Sequence, residues 1–291
     1  MSRIDKPSHD LSIDMNGPPA HRTRSTFWRD ASMPFIEARV VHDGRAFCYA
    51  RHSHETFSIG AVTGGRSTYL NGNRQERVGA GAVVVMNPQD VHACNPVDDQ
   101  AWAYRMLYVD TQWLTGLQHD MGIGNGRDLT PFATLLTTDA VLYDGLIHLC
   151  DTLTDAHADT LHKHSAAIEF FSHVQHELSP VRARETKADA SDKVARAAEF
   201  LADNCTRTLT LDEICAAAGL SASYLIRAFR KHYGMTPHQY LVNRRIQIGR
   251  ARLRDGHPIA DVAYETGFSD QAHFQRAFKQ FLAVTPGQYR S

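Results

Sequence analysis

The sequence predicts an α+β chain of two domains: an N-terminal β-barrel with trailing helices, then an all-α domain in which one helical unit is used twice. Three observations carry this. Short strand-like runs separated by turn signals fill residues 35–110. From residue 139 onward apolar residues recur at helical spacing instead. Two segments near the C-terminus, 219–240 and 267–289, repeat each other. A length of 291 residues suits two domains, and 43% hydrophobic with 22% charged residues is an ordinary globular composition.

Residues 1–33 read as a polar arm, expected to be disordered, with no apolar stretch of the kind a secretory signal needs. No run of about 18 apolar residues marks a membrane span, so the chain is expected in the cytoplasm. Domain one is expected over 34–180. Its strand-like runs are "FIEARVV", "AFCYARHSH", "FSIGAV", "STYLNGNRQERV", "GAVVVMNP" and "WAYRMLYVD". Asn71-Gly72 is a strong hairpin signal. Even spacing of short strands points to a small barrel or jelly roll.

Leu142, Leu146, Leu149 and Leu153 then lie on one face of a helix, and Leu161, Ile168, Phe171, Val174 and Leu178 mark a second. Such a pair can pack on the barrel, on each other or on a second subunit. The polar segment 181–191 reads as a linker into a helical domain over 192–291. Five cysteines without a CxxC pair argue against a disulfide framework or a zinc ribbon.

The repeat is specific. Arg227/Phe229 and Arg276/Phe278 lie 49 residues apart, as do Thr236-Pro237 and Thr285-Pro286. Each copy is a short helix, a glycine turn and a second helix. Thr210 and Glu213 have the capping-box spacing, Gly219 suits a left-handed turn, and Ser221 can cap the second helix. In the second copy Gly267 takes the turn and Ser269 or Asp270 the cap. This is the helix-turn-helix pattern.

Helical periodicity turns Leu225, Phe229, Phe274 and Phe278 inward. It leaves Ser223, Arg227 and Arg230, then Gln271, Gln275, Arg276 and Lys279, facing out. Arg and Gln can contact guanine and adenine edges in a major groove, and the N-terminal half of a second helix is the part that enters it. The helix between the units carries Arg244 and Arg245, which are candidates for phosphate contacts. Charge agrees with this placement. From residue 190 onward 14 Lys and Arg face 9 Asp and Glu, against 17 and 23 before it.

Residues 192–290, and above all "GFSDQAHFQRAFKQFLAVTPGQYR", resemble the C-terminal domain of AraC-type (AraC/XylS) transcriptional regulators. The resemblance implies double-stranded DNA and RNA polymerase as partners, a homodimer formed through the helices of 139–179, and activation under the control of a small-molecule effector. It implies no enzymatic activity and no cofactor. "RHSHETFSIGAVTGG" and "VGAGAVVVMNPQDVHACNP" in turn resemble the two short motifs of a cupin-like sensor barrel.

His52 and His54, one residue apart in a predicted strand, can share a face, and His92 can join them. A catalytic cupin carries a carboxylate four residues after its second histidine, where Ser58 stands here. Three readings stay open: a metal-free effector pocket, histidines that only brace the strands, and a bound metal. The first is the expectation. Trp102 and Tyr104 would clamp an apolar part of the effector, and Arg105, on the other face of the same strand, would hold a carboxylate if that face points inward.

Overall fold

The computed structural model describes residues 25–72, 74–97, 100–178, 180 and 189–290. Among these, nine strands come first: β1 (Ser25–Trp28), β2 (Ile36–Val41), β3 (Phe57–Gly64), β4 (Arg66–Asn71), β5 (Arg74–Gly79), β6 (Val83–Met86), β7 (His92–Pro96), β8 (Ala103–Val109) and, after helix α1 (Thr111–Asp120), β9 (Leu136–Thr137). Helices α2 (Ala140–Thr154) and α3 (Thr160–Leu178) close the first domain. The second contains α4 (Asp189–Asp203), α5 (Leu211–Ala218), α6 (Ala222–Tyr233), α7 (Pro237–Arg254), α8 (Ile259–Glu265), α9 (Gln271–Leu282) and α10 (Pro286–Arg290).

The strands form two antiparallel sheets. One runs β1-β2-β8-β3-β6-β9 and the other β5-β4-β7. The larger sheet is buried on both faces, which is why its strands read as nearly continuous apolar runs. Ile36, Ala38, Phe57, Ile59, Val83, Val85, Leu107 and Val109 share a core with α2 and α3. Val41, Val84, Met86, Trp102, Tyr104 and Met106 share another with Tyr69, Val78 and Ala93 of the smaller sheet. The Asn71-Gly72 hairpin forms as predicted, with Gly72 at φ 57. At the β3–β4 turn Gly65 sits at φ 69, where any Cβ would collide with the Ala101 carbonyl.

The two helical units have separate cores joined by α7. Ile214, Leu225 and Phe229 belong to the first, and Val262, Phe268, Phe274 and Phe278 to the second. Thr210 and Glu213 form the predicted capping box, and Gly219 ends α5 at φ 63, ψ 44. A second capping box, Thr236 with Gln239, starts α7, and Thr285 with Gln288 repeats its hydrogen bonds 49 residues on. The turn after each reading helix is left-handed. Gly234 takes it in the first unit at φ 67, and Ala283 in the second at φ 58. Both turns lie against the β domain: Gly234 beside Val91 and Arg51, Ala283 in the core beneath the smaller sheet.

Four expectations change. Within the predicted arm, residues 1–24 lie outside the described ones, but Ser25–Trp28 is a strand paired with β2, and Met33 is fully buried. The β domain therefore begins ahead of residue 34. Linker residues 181–188 are outside the described set, and α4 already begins at Asp189. No strand covers 46–55, because that segment turns its hydrogen bonds elsewhere: Tyr49 N–H donates to the Asn95 side chain and Ala50 N–H to the Gln280 carbonyl of α9. Helix α1, started by Asp110 accepting from the Trp113 N–H, has no counterpart in the sequence reading. Among the described residues no helix is long and apolar enough to cross a membrane.

Candidate nucleic-acid interface and sensor cavity

Helices α6 and α9 present the faces that periodicity predicts. Ser223, Arg227, Arg230, Gln271, Arg276 and Lys279 are exposed and Gln275 is half-buried, while Leu225, Phe229, Phe274 and Phe278 are fully buried behind them. The cap of α9 is Asp270, which accepts from the His273 N–H; Ser221 precedes α6 in extended conformation without a side-chain capping bond. Backbone hydrogen bonding holds the Asp270 carboxyl below its usual range, so it stays ionised at the helix N-terminus.

Arg244 and Arg245 are not part of this surface. Arg244 Nη1 bonds Glu55 Oε1 at 2.6 Å across the domain boundary. Arg245 donates from Nε to the Cys205 carbonyl (2.7 Å) and from Nη2 to the Arg207 carbonyl (2.9 Å), closing the turn after α4. Arg244 Nη1 and Arg245 Nε and Nη2 are thus engaged with protein oxygens, while Arg244 Nε is buried without a partner.

The long helix α7 is a fastening to the β domain. Asn243 Nδ2 donates to the Ser53 carbonyl and hydroxyl (3.0 and 3.1 Å). Arg250, buried, meets Glu37 of β2 at 3.0 Å. Glu37 also accepts from Arg29 Nε (2.6 Å) and the Tyr289 hydroxyl (3.1 Å). Burial alone would raise the Glu37 carboxyl, but the Arg250 and Arg29 guanidiniums outweigh it and hold it below its usual range.

Inside the β domain, Trp102 and Tyr104 face inward as one of the two predicted options requires. Their rings stack 4.5 Å apart, and Trp102 Nε1 donates to the Gly44 carbonyl at 2.9 Å. Arg105 faces out, donating to the Ile147 carbonyl (3.2 Å) and to Asp151 on α2. It cannot hold a ligand in the barrel. The cation that lies inside is Arg39 of β2, 1% exposed. Its guanidinium sits 4.9 Å from the Phe27 ring centre, 5.2 Å from Phe47 and 5.8 Å from Tyr49. Nε donates to Ser25 Oγ at 3.0 Å, and Nη2 has no partner.

Sequence reasoning missed Arg39 because Glu37, Arg39 and Val41 alternate with Ala38 and Val40, a pattern that reads as a half-polar edge strand. The space nearby is about 40 Å³, lined by Tyr49, His52, His92, Trp102, Tyr104 and Tyr108 among others. His52, His54 and His92 come together, one ring nitrogen of each within 4.8 Å of the others. Burial pushes all three below the usual imidazole range, His92 to about 4.

Two families match the two domains: the AraC-like ligand binding domain over residues 38–171 and a helix-turn-helix domain over 214–291. The chain belongs to the AraC family of transcriptional regulators. An uncharacterised regulator of Bacillus subtilis, YbfI, is 27% identical over 225 residues, covering 77% of this chain and 81% of that protein. The XylDLEGF operon transcriptional activator 3 of Pseudomonas putida is 28% identical over 113 residues, 38% of this chain and 34% of that one.

Solved structures of ToxT from Vibrio cholerae share the two-domain fold. An apo variant covers 88% of this chain and 96% of its own at 16% identity and TM-score 0.55. A form with unsaturated fatty acid bound covers 88% and 95% at 17% and TM-score 0.50.

For an AraC-type regulator the arrangement separates two jobs. The outward halves of α6 and α9 are free to meet a duplex, and α7 between them is bolted to the β domain. The buried tyrosines are neutral: burial pushes the Tyr49 hydroxyl up to about 12, and Tyr104 is raised as well, the two hydroxyls sharing one hydrogen bond at 2.5 Å.

Proposed function

We propose that the protein is an effector-controlled transcriptional activator whose effector carries a carboxylate or similar anion. The observation that carries this is Arg39: a fully buried guanidinium with an unpartnered Nη2, standing two residues from Glu37 on the same face of β2. A buried charge without a full set of partners is costly, and an anionic ligand would supply the missing partner. The barrel space of about 40 Å³ is far below the ~300 Å³ of ordinary ligand sites, so the present form is closed. An effector reaching Arg39 must displace the Tyr49–Tyr104 pair and move β2. That motion bears on Glu37, and through Arg250 on α7. The effector thereby acts through a difference in affinity between two domain arrangements. ToxT with a fatty acid bound, on the same fold, is consistent with an anionic ligand.

The P. putida relative named as a transcriptional activator supports activation, and RNA polymerase as partner rests on the family resemblance. Titration of the full-length protein with small carboxylic acids, read by thermal shift and by operator binding, tests the sensor reading. If no acid stabilises the protein or alters its DNA affinity, the reading fails.

Two further results are expected. Replacing Arg276 or Arg227 with alanine should weaken operator binding by about 1–3 kcal/mol and relax sequence preference at one position. Arg245→Ala should change the salt dependence of binding little, since Nε and Nη2 already serve the Cys205 and Arg207 carbonyls. Equal losses from all three would redraw the interface.

The second concerns assembly. Leu161 (78% exposed), Val141 (62%) and Ile168 (47%) lie open on α2 and α3, which supports the expected homodimer. Leu161→Glu with Ile168→Glu should yield monomers in sedimentation with stability changed by no more than ~0.5 kcal/mol. An unaltered dimer would place the interface elsewhere.

A further inference from the structure

His52, His54 and His92 come from two separate segments and meet at the wall between two cavities. His52 and His92 line the barrel space, and His54 lines the cleft between β2 and α7. The segments are locked together by paired backbone bonds between residues 52 and 92, at 3.0 and 2.8 Å. Ring centres lie 4.4 Å apart for His52–His92 and 4.7 Å for His54–His92.

The hydrogen bonds decide what the rings can do. His52 Nδ1 faces the Ala50 carbonyl at 2.8 Å, His54 Nδ1 the Thr56 carbonyl at 2.9 Å, and His92 Nδ1 the Asp90 carbonyl at 2.8 Å. A carbonyl only accepts, so each Nδ1 carries the proton and each Nε2 carries a lone pair. Three neutral imidazoles in the same tautomer, each oriented by a backbone carbonyl, form the outer-shell pattern of histidine metal ligands. Among the described residues, the side chain that meets one of these Nε2 atoms is Ser58, whose Oγ lies 3.4 Å from that of His54.

We propose that His52, His54 and His92 bind one divalent first-row transition-metal ion through their Nε2 atoms, zinc being the simplest occupant. Three imidazoles without carboxylate or thiolate suit zinc, cobalt or nickel and not magnesium or calcium. Metal–nitrogen bonds of about 2.0–2.1 Å require the three rings to draw closer together than they lie here. Sequence reasoning set the metal aside because Ser58 replaces a carboxylate. That residue bears only on a fourth ligand, and a three-histidine site keeps a position open for water or an effector atom. Two cations lie close: Arg250, already paired with Glu37, and Arg39, whose charge also reaches His52 and works against a second cation there, so an anionic effector would favour metal binding.

The site also has a route to the DNA-binding domain. The segment carrying His52 and His54 is the one tied to it, through Ala50 to Gln280, Ser53 to Asn243 and Glu55 to Arg244. Drawing the rings onto an ion moves the anchors of α7 and α9.

The test is a cobalt(II) titration of chelator-treated, desalted full-length protein, followed by zinc competition. Visible absorption bands saturating at one equivalent per chain and erased by zinc are expected. His54→Gln with His92→Gln should remove them, while His162→Gln with His176→Gln, on the exposed α3, should not. Wild-type protein without bands at one equivalent, or bands that survive the His54/His92 substitutions, would overturn the site. The wild-type titration stands even if a substituted chain fails to fold. No organic effector is present, so failure here leaves the carboxylate-sensor reading intact.

Discussion

Replacing Glu37 by leucine is expected to destabilise the protein by about 3–5 kcal/mol, the cost of leaving buried positive charge without its partner. Glu37 is 4% exposed and takes hydrogen bonds from Arg250, Arg29 and Tyr289. Arg29 can turn toward water, but Arg250 is confined between α7, Tyr108 and Tyr289. Adding Arg250→Met to Glu37→Leu should therefore recover most of the loss, since a buried ion pair replaced by apolar side chains is often neutral. Urea denaturation of the two single variants and the double variant measures this cycle. Additive losses would mean that the pair is not a unit.

The pH dependence has a defined sign. A carboxyl held below its unfolded value stabilises the fold above about pH 4.3 and loses that contribution as pH falls through its lower folded value. The wild-type domain contact should loosen on acidification in that window, and the Glu37→Leu variant should lack this component.

Arg39 should behave in the opposite way. Arg39→Met is expected to leave the ligand-free protein as stable as the wild type or more stable by about 1–4 kcal/mol, because it removes a buried charge whose Nη2 is unpartnered. Some attraction to the Phe27 and Phe47 faces is lost, which keeps the gain at the lower end. The same variant should lose stabilisation by carboxylic acids, whereas Arg105→Ala, whose side chain faces α2, should keep it. Denaturation and thermal shift on the same samples report both quantities. A variant that is strongly destabilised yet still stabilised by acids would make Arg39 a structural residue and end its role as an anion anchor.

What the sequence revealed was mostly what neighbouring residues decide. The Thr210–Glu213 box, the Gly219 turn, the Asn71-Gly72 hairpin and the outward face of α6 and α9 all depend on contacts within a few positions. The histidines were legible as a group, but not as loop residues, because the hydrogen bonds of 46–55 run to Asn95 and to Gln280. Glu37 and Arg39 look like a solvated edge until β1, the smaller sheet and the helical domain cover them. Arg244 and Arg245 look like phosphate ligands for the converse reason: their partners, Glu55 and the carbonyls after α4, lie 38–40 or 189 residues away in the chain.

The left-handed turns at Gly234 and Ala283 have a consequence for how the molecule measures DNA. They occupy matching places in the two copies of the unit, and both rest on the β domain rather than on each other. Among the described residues the two copies have separate cores joined through α7, with the Gly267 turn of the second resting on the Thr206 carbonyl after α4. The gap between the reading helices is thus set by three bodies, as the opening of a caliper is set by its beam as well as its jaws. In this structure that gap is gauged against the β domain. If a duplex calls for another opening, one of those turns is the contact that has to give.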